Sequence, residues 1–159
     1  MPNFTSVKEL KAYVQNAIND TLEHEVAEVA TEALLYNIDK VVYDYTPVMY
    51  QRRESGGLGS EESVKTALVG NGTLEVESSA ESSPSVVHGG VSDELASWII
   101  NGDVPNIFND RGDTYPWNYP RDYISETVED PDTTRMIKDA INAGLKRHGI
   151  SIKYGVSMK

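Results

Sequence analysis

The chain has 159 residues and 17.6 kDa, the size of one ordinary domain, with 39% hydrophobic residues, enough for a core. It contains no cysteine, which excludes disulfide frameworks, thiolate nucleophiles, cysteine-ligated zinc and iron–sulfur clusters. Its formal net charge of −11 repels nucleic acid and anionic membranes unless the few cations cluster.

No stretch approaches the ~20 apolar residues of a membrane span. Met1-Pro2-Asn3-Phe4-Thr5 lacks the basic-then-apolar plan of a signal peptide. The expectation is a single soluble domain over residues 1–159 that stays in the compartment where it is made. In fold class it is α+β, with a long N-terminal helix and a C-terminal helix packed on a small, mainly antiparallel sheet.

Residues 1–42 carry the dominant signal. Ser6-Val7-Lys8-Glu9 fits a capping box, hydroxyl at the cap and carboxylate three residues on. Val7, Leu10, Val14, Ala17, Ile18, Leu22, Val26, Val29, Ala33 and Tyr36 then recur at helical spacing. With no Gly or Pro between Ser6 and Pro47, this predicts a helix from Val7 to about Val42, roughly 54 Å long. A compact chain of this length has a radius of gyration near ~15 Å. The helix must therefore project beyond its domain or kink, and Glu23–Glu25 is the place for a kink. Its second half adds Ala27, Ala30, Leu34, Leu35, Ile38, Val41 and Val42, so its apolar stripe spans almost the full circumference. Such a helix needs cover on every side. A neighbouring subunit, or the sheet and C-terminal helix of the same chain, are the two candidates.

Residues 43–91 read as a turn cassette and a β-hairpin. Pro47 ends any helix and Gly56-Gly57 allows a reversal. Ser63–Val69 and Thr73–Ser79 flank Gly70-Asn71-Gly72, the pattern of a hairpin with a three-residue loop. Leu74 and Val76 alternate with Glu75 and Glu77, predicting one buried and one wet face. Val86-Val87-His88 starts a further short strand after a serine-rich loop.

In residues 92–159, Ser92 caps a short helix through Asn101, ended by Gly102, with Leu95, Trp98 and Ile99 inward. Asp103–Pro120 is irregular, with three prolines and several aromatics. Asp130-Pro131 is a cap followed by a first-turn proline. The helix after it turns Met136, Ile137, Ala140, Ile141 and Leu145 inward, ends in Lys146-Arg147-His148 and stops at Gly149. Alternation of Ile150, Ile152, Tyr154 and Val156 with polar residues predicts a closing strand.

Catalytic constellations are missing. No phosphate-binding loop, dinucleotide fingerprint, zinc-protease helix or nucleophile elbow occurs. His24, His88 and His148 lie in different elements and read as solvated. Asp110, Asp113, Asp130 and Asp132 lack calcium-loop spacing. The expectation is no enzyme, no cofactor and no metal site. Two features stand out. Arg52-Arg53 is an adjacent basic pair in an acidic chain, suited to bidentate carboxylate pairing, either with nearby Glu54 or Asp44 or with a neighbouring subunit. Trp98, Tyr115, Trp117, Tyr119 and Tyr123 form an aromatic group that reads as satellite core packing or as a binding shelf.

The order of these elements resembles a known family. A long N-terminal helix precedes Tyr43…Thr46-Pro47…Tyr50…Arg52-Arg53…Gly56-Gly57-Leu58 and then a hairpin. Leu95-Ala96-Ser97-Trp98-Ile99 follows, ending at Gly102, and Tyr119-Pro120-Arg121-Asp122-Tyr123-Ile124 introduces the last helix. This is similar to the neck, or tail-completion, proteins of tailed bacteriophages, also described as minor capsid or head–tail joining proteins. The chain departs from that pattern in lacking a glutamate near Asn101 and in its longer loop at Asp103–Thr114.

The resemblance implies a non-enzymatic virion part, assembled in the host cytoplasm. It would be a homo-oligomeric ring between the portal with its adaptor or head-closure protein and the tail terminator or tail tube. DNA would pass through without tight binding. Candidate subunit contacts are then Tyr50, Arg52 and Arg53, with Leu34, Leu35, Ile38 and Val42 on the widened stripe. Glu75, Glu77, Glu81, Asp93 and Glu94 are the candidates for an acidic outer or channel surface. The reading from another class is an acidic binding or inhibitor module acting on a basic protein partner.

Overall fold

A computed structural model describes residues 3–43, 57–78, 95–102 and 120–152 of the chain. The long helix is present as expected, in three parts: α1 (Val7–Thr21), a π turn (Leu22–Val26) and α2 (Ala27–Val42). Ser6 caps it by accepting from the Glu9 N–H at 3.2 Å. The Glu9 carboxylate closes the box one residue further out than expected, accepting from the Thr5 N–H at 2.8 Å and from its hydroxyl.

The π turn lies where the sequence places a kink. There the Ala27 N–H reaches back five residues to the Leu22 carbonyl. Five residues occupy a turn that otherwise takes four. The buried positions accordingly run Ala17, Thr21, then Val26 and Ala27.

The hairpin pairs β1 (Val64–Leu68) with β2 (Leu74–Ser78), antiparallel, with Thr66 opposite Val76. A further bond from Val69 N–H to the Thr73 carbonyl leaves Gly70–Gly72 as the loop, as read from sequence. Gly72 sits at φ +81°, and its N–H donates to Asn19 Oδ1 at 3.0 Å, pinning the hairpin tip to α1. The expected buried face is only half covered: Leu74 is partly buried while Val76 is exposed. Two strands lying on a single helix offer little apolar cover.

The short helix α3 (Leu95–Asn101) ends at Gly102, φ +70°, and buries Ile99. Its expected cap Ser92 and the side chains of Leu95 and Trp98 lie outside the described residues. Helix α4 (Tyr123–Glu129) is not expected from the sequence, in which Tyr119–Ile124 only introduces the last helix. Asp122 caps α4 by accepting from the Ser125 N–H at 2.9 Å. Helix α5 (Pro131–Arg147) follows at once, capped by Asp130 with Pro131 in its first turn. Gly149, φ +70°, stops it.

The expected closing strand is corrected in its first residues. Ile150 to Ile152 are not in a strand, and Ile152 is exposed. The rest of that segment, and Val86-Val87-His88, lie outside the described residues.

The core is assembled from far-apart segments. Leu34, Ile38 and Val42 of α2 meet Leu58, Ile99 and Tyr123, with Leu35, Val41, Tyr43, Val64 and Ile100 packed around them. The cover for the apolar half of the long helix thus comes from its own chain. Leu34, Ile38 and Val42, expected at a subunit contact, are instead buried in the chain's own core, and Leu35 is partly buried beside them.

Candidate functional site

Titratable side chains from distant parts of the chain converge where the end of α5 crosses the π turn. The crossing is close because Gly144 has no side chain. A Cβ there would lie 2.4 Å from Thr21 Cγ2 and 2.6 Å from Thr21 Oγ1. One turn on, the Arg147 guanidinium donates to Glu25 at 2.8 and 3.2 Å and also bonds Asp20. His148 Nε2 lies 2.7 Å from Asp20 Oδ2, and the Tyr13 hydroxyl donates to the His148 carbonyl. His24 Nδ1 lies 2.9 Å from the Asp20 backbone carbonyl.

The two helical histidines are therefore engaged with Asp20, not merely solvated. Likewise Arg147 and His148 do more than complement the dipole of α5, since they clasp it to the long helix. Asp20 is bonded by both His148 and Arg147, and Glu25 accepts from Arg147. No group of three or more metal-ligating side chains occurs among the described residues. This is a structural clasp.

The clasp carries a pH dependence. The hydrogen bond from His148, then the hydrogen bond and charge of Arg147, hold the Asp20 carboxyl below the ordinary carboxylate range. A carboxyl whose pKa is lower folded than unfolded stabilises the fold above its unfolded pKa, and that contribution fades as pH falls through the folded value. Melting temperature should therefore drop below pH ~4, and Asp20→Asn should melt lower at neutral pH with a shallower acid loss. Parallel profiles for the two proteins would show that Asp20 does not carry the effect.

Among the described residues, several large apolar side chains are exposed. Phe4, Val7 and Leu10 at the start of the long helix are exposed, Val7 by 70%, and Ile124 and Val128 of α4 are exposed, Val128 by 72%. Sequence reading placed Val7 and Leu10 on the inward stripe. They lie N-terminal to Tyr13, whose hydroxyl donates to the carbonyl of His148 at the end of α5. Ile124 and Val128 carried no signal, because the helix that spaces them four apart went unread.

A protein-family model described as YomN matches residues 6–147. The chain belongs to the YomN family. No curated protein and no solved structure matches it. The YomN span begins at the cap residue Ser6 and ends at Arg147, so it encloses the long helix, the core and the arginine of the clasp.

Within that span the sequence candidates separate. Leu34, Ile38 and Val42 are core, whereas Glu75 and Glu77 stand exposed on one face of β2. Tyr50, Arg52, Arg53, Glu81, Asp93 and Glu94 lie outside the described residues. Of the aromatic group, Tyr123 is in the main core, fully buried, and not in a satellite or shelf. Tyr115, Trp117 and Tyr119 also lie outside the described residues. No described helix is long and apolar enough to cross a membrane.

Proposed function

We propose that the chain is a structural subunit of the neck of a tailed bacteriophage. In this reading it forms a ring between the portal-adaptor or head-closure complex and the tail terminator or tail tube, and it lines the DNA passage. It acts there as a virion part without catalysis or cofactor.

The observation that carries the reading is the order of elements. A long N-terminal helix, a hairpin, a short helix stopped by Gly102, and Pro120 leading into α4 at Tyr123 and then into the final helix follow one another in an order that resembles the neck family. The acidity agrees with the role. Glu75 and Glu77 project from the wet face of the hairpin in a chain of net charge −11. Duplex DNA carries one negative charge per ~1.7 Å of axis, so a bore lined this way lets it slide.

Electron microscopy of particles from a phage encoding this chain, labelled with an antibody to it, tests the reading. Label is expected at the head–tail junction, with unjoined heads and tails when the gene is inactivated. Unlabelled virions and normal joining would overturn it. Gel-shift titration at low salt tests the bore. No retention of duplex is expected, and micromolar retention would overturn the acidic lining.

A further inference from the structure

Two of the exposed apolar groups among the described residues, Phe4, Val7 and Leu10 on one side and Ile124 with Val128 on the other, lie at opposite ends of the long helix. Residues 3 to 12 are all exposed, so the first turns of α1 stand clear of the body as an arm. Helix α4 packs instead at the far end, where Tyr123 meets Leu34, Ile38 and Val42. From the arm to that contact the long helix runs about 25 residues, or roughly 40 Å. The arm and α4 of one chain cannot touch.

They are complementary in charge. Val7 and Lys11 are four apart and Lys8 and Lys11 three apart, so the cations flank the apolar strip. Lys8 and Lys11 are the only Lys or Arg in the first 39 residues. Glu9 between them is turned to Thr5. Residues 122–134 hold five carboxylates and no cation. Asp122 and Asp130 are used as caps, and Asp132 pairs with Arg135 at 3.0 Å. Glu126 and Glu129 remain exposed on the helix that presents Ile124 and Val128.

We propose that these ends bind between copies of the chain, the arm of one protomer lying along α4 of the next. An arm–arm contact would gather four lysines, and an α4–α4 contact would gather carboxylates, so like charge disfavours both symmetric pairings. A contact between two different surfaces repeats head to tail and closes a ring when the rotation allows. The contact itself stands on these two surfaces; its use, a ring around DNA, rests on the neck reading.

Sedimentation of the full chain tests it. The wild type is expected to associate with rising concentration, less so at high salt. Val7→Glu and Val128→Glu should each weaken association at least about tenfold. Lys8→Glu/Lys11→Glu and Glu126→Lys/Glu129→Lys should each fail to associate alone. Mixed, they should assemble alternately, because each arm then meets an α4 of opposite sign. All these positions are exposed, and unchanged melting curves confirm that each variant folds. A wild type that stays monomeric at millimolar concentration, variants that associate as well as wild type, or a mixture that stays monomeric would each overturn the contact. Loss of the contact with the chain still found at virion necks removes this inference alone. Association by a chain absent from virions removes the neck reading alone.

Discussion

Tyr123→Ala is expected to destabilise the protein by about 3–5 kcal/mol, the range for removing a buried aromatic side chain. Tyr123 is fully buried, and its ring is the piece of α4 that enters the cluster of Leu34, Ile38, Val42, Leu58 and Ile99. Its hydroxyl lies 3.3 Å from Ser78 Oγ, joining α4 to β2. Burial pushes the phenol upward from its ordinary pKa, so it remains a neutral donor. Tyr123→Phe keeps the ring and gives up that bond, at about 0.5–1.5 kcal/mol. For a chain of this size the alanine variant should melt roughly 6–20 °C lower. Chemical denaturation of both variants checks the ordering. If alanine costs no more than phenylalanine, the ring does not hold α4 to the long helix.

Gly144→Ala is the second large effect, and its sign runs against intuition. In an exposed helix interior this change stabilises by about 1 kcal/mol, because glycine gives up more backbone freedom on folding. Here the added methyl would lie 2.4 Å from Thr21 Cγ2, on a residue that is itself buried. Either α5 moves off the π turn or Thr21 leaves its place, and overpacking of this kind costs about 1–3 kcal/mol. Movement of α5 would also pull Arg147 from Glu25 and His148 from Asp20.

A double-mutant cycle isolates the contact. Thr21 Oγ1 is buried and finds no hydrogen-bond partner among the described residues, so Thr21→Ala alone should cost little. It removes both of the nearest clashing atoms, and the third, Glu25 Oε2 at 2.9 Å, ends a side chain that can shift. In that background Gly144→Ala should become neutral or stabilising. Equal losses in both backgrounds would place the cost of the methyl elsewhere.

Local order was readable along the chain. The Ser6 cap, the helical stripe after it, Gly70 to Gly72 between two alternating runs, Asp130-Pro131, and the stops at Gly102 and Gly149 each act within a few residues. Short-range hydrogen bonding and backbone preference decide such features, and the observed elements follow them. Length alone requires the long helix to project or to kink, and in the structure it does project, its first turns exposed, while a π turn falls at Leu22–Val26.

Long-range packing decided the rest. The apolar second half of the long helix announced a need for cover but not its source, and the source is Leu58, Ile99 and Tyr123 of the same chain. Helix α4 was missed because its seven residues bury only Tyr123 and Thr127, too few to make a periodic pattern. Asp20 and Glu25 are more than 120 residues from the cations that hold them, so no spacing rule could pair them. Val7 and Leu10 share the periodicity of the inward stripe. They are exposed, lying N-terminal to the contact of Tyr13 with the end of α5. A sequence determines which face of a helix is apolar, but whether that face is covered depends on how far the neighbouring element extends, which only the assembled tertiary structure sets.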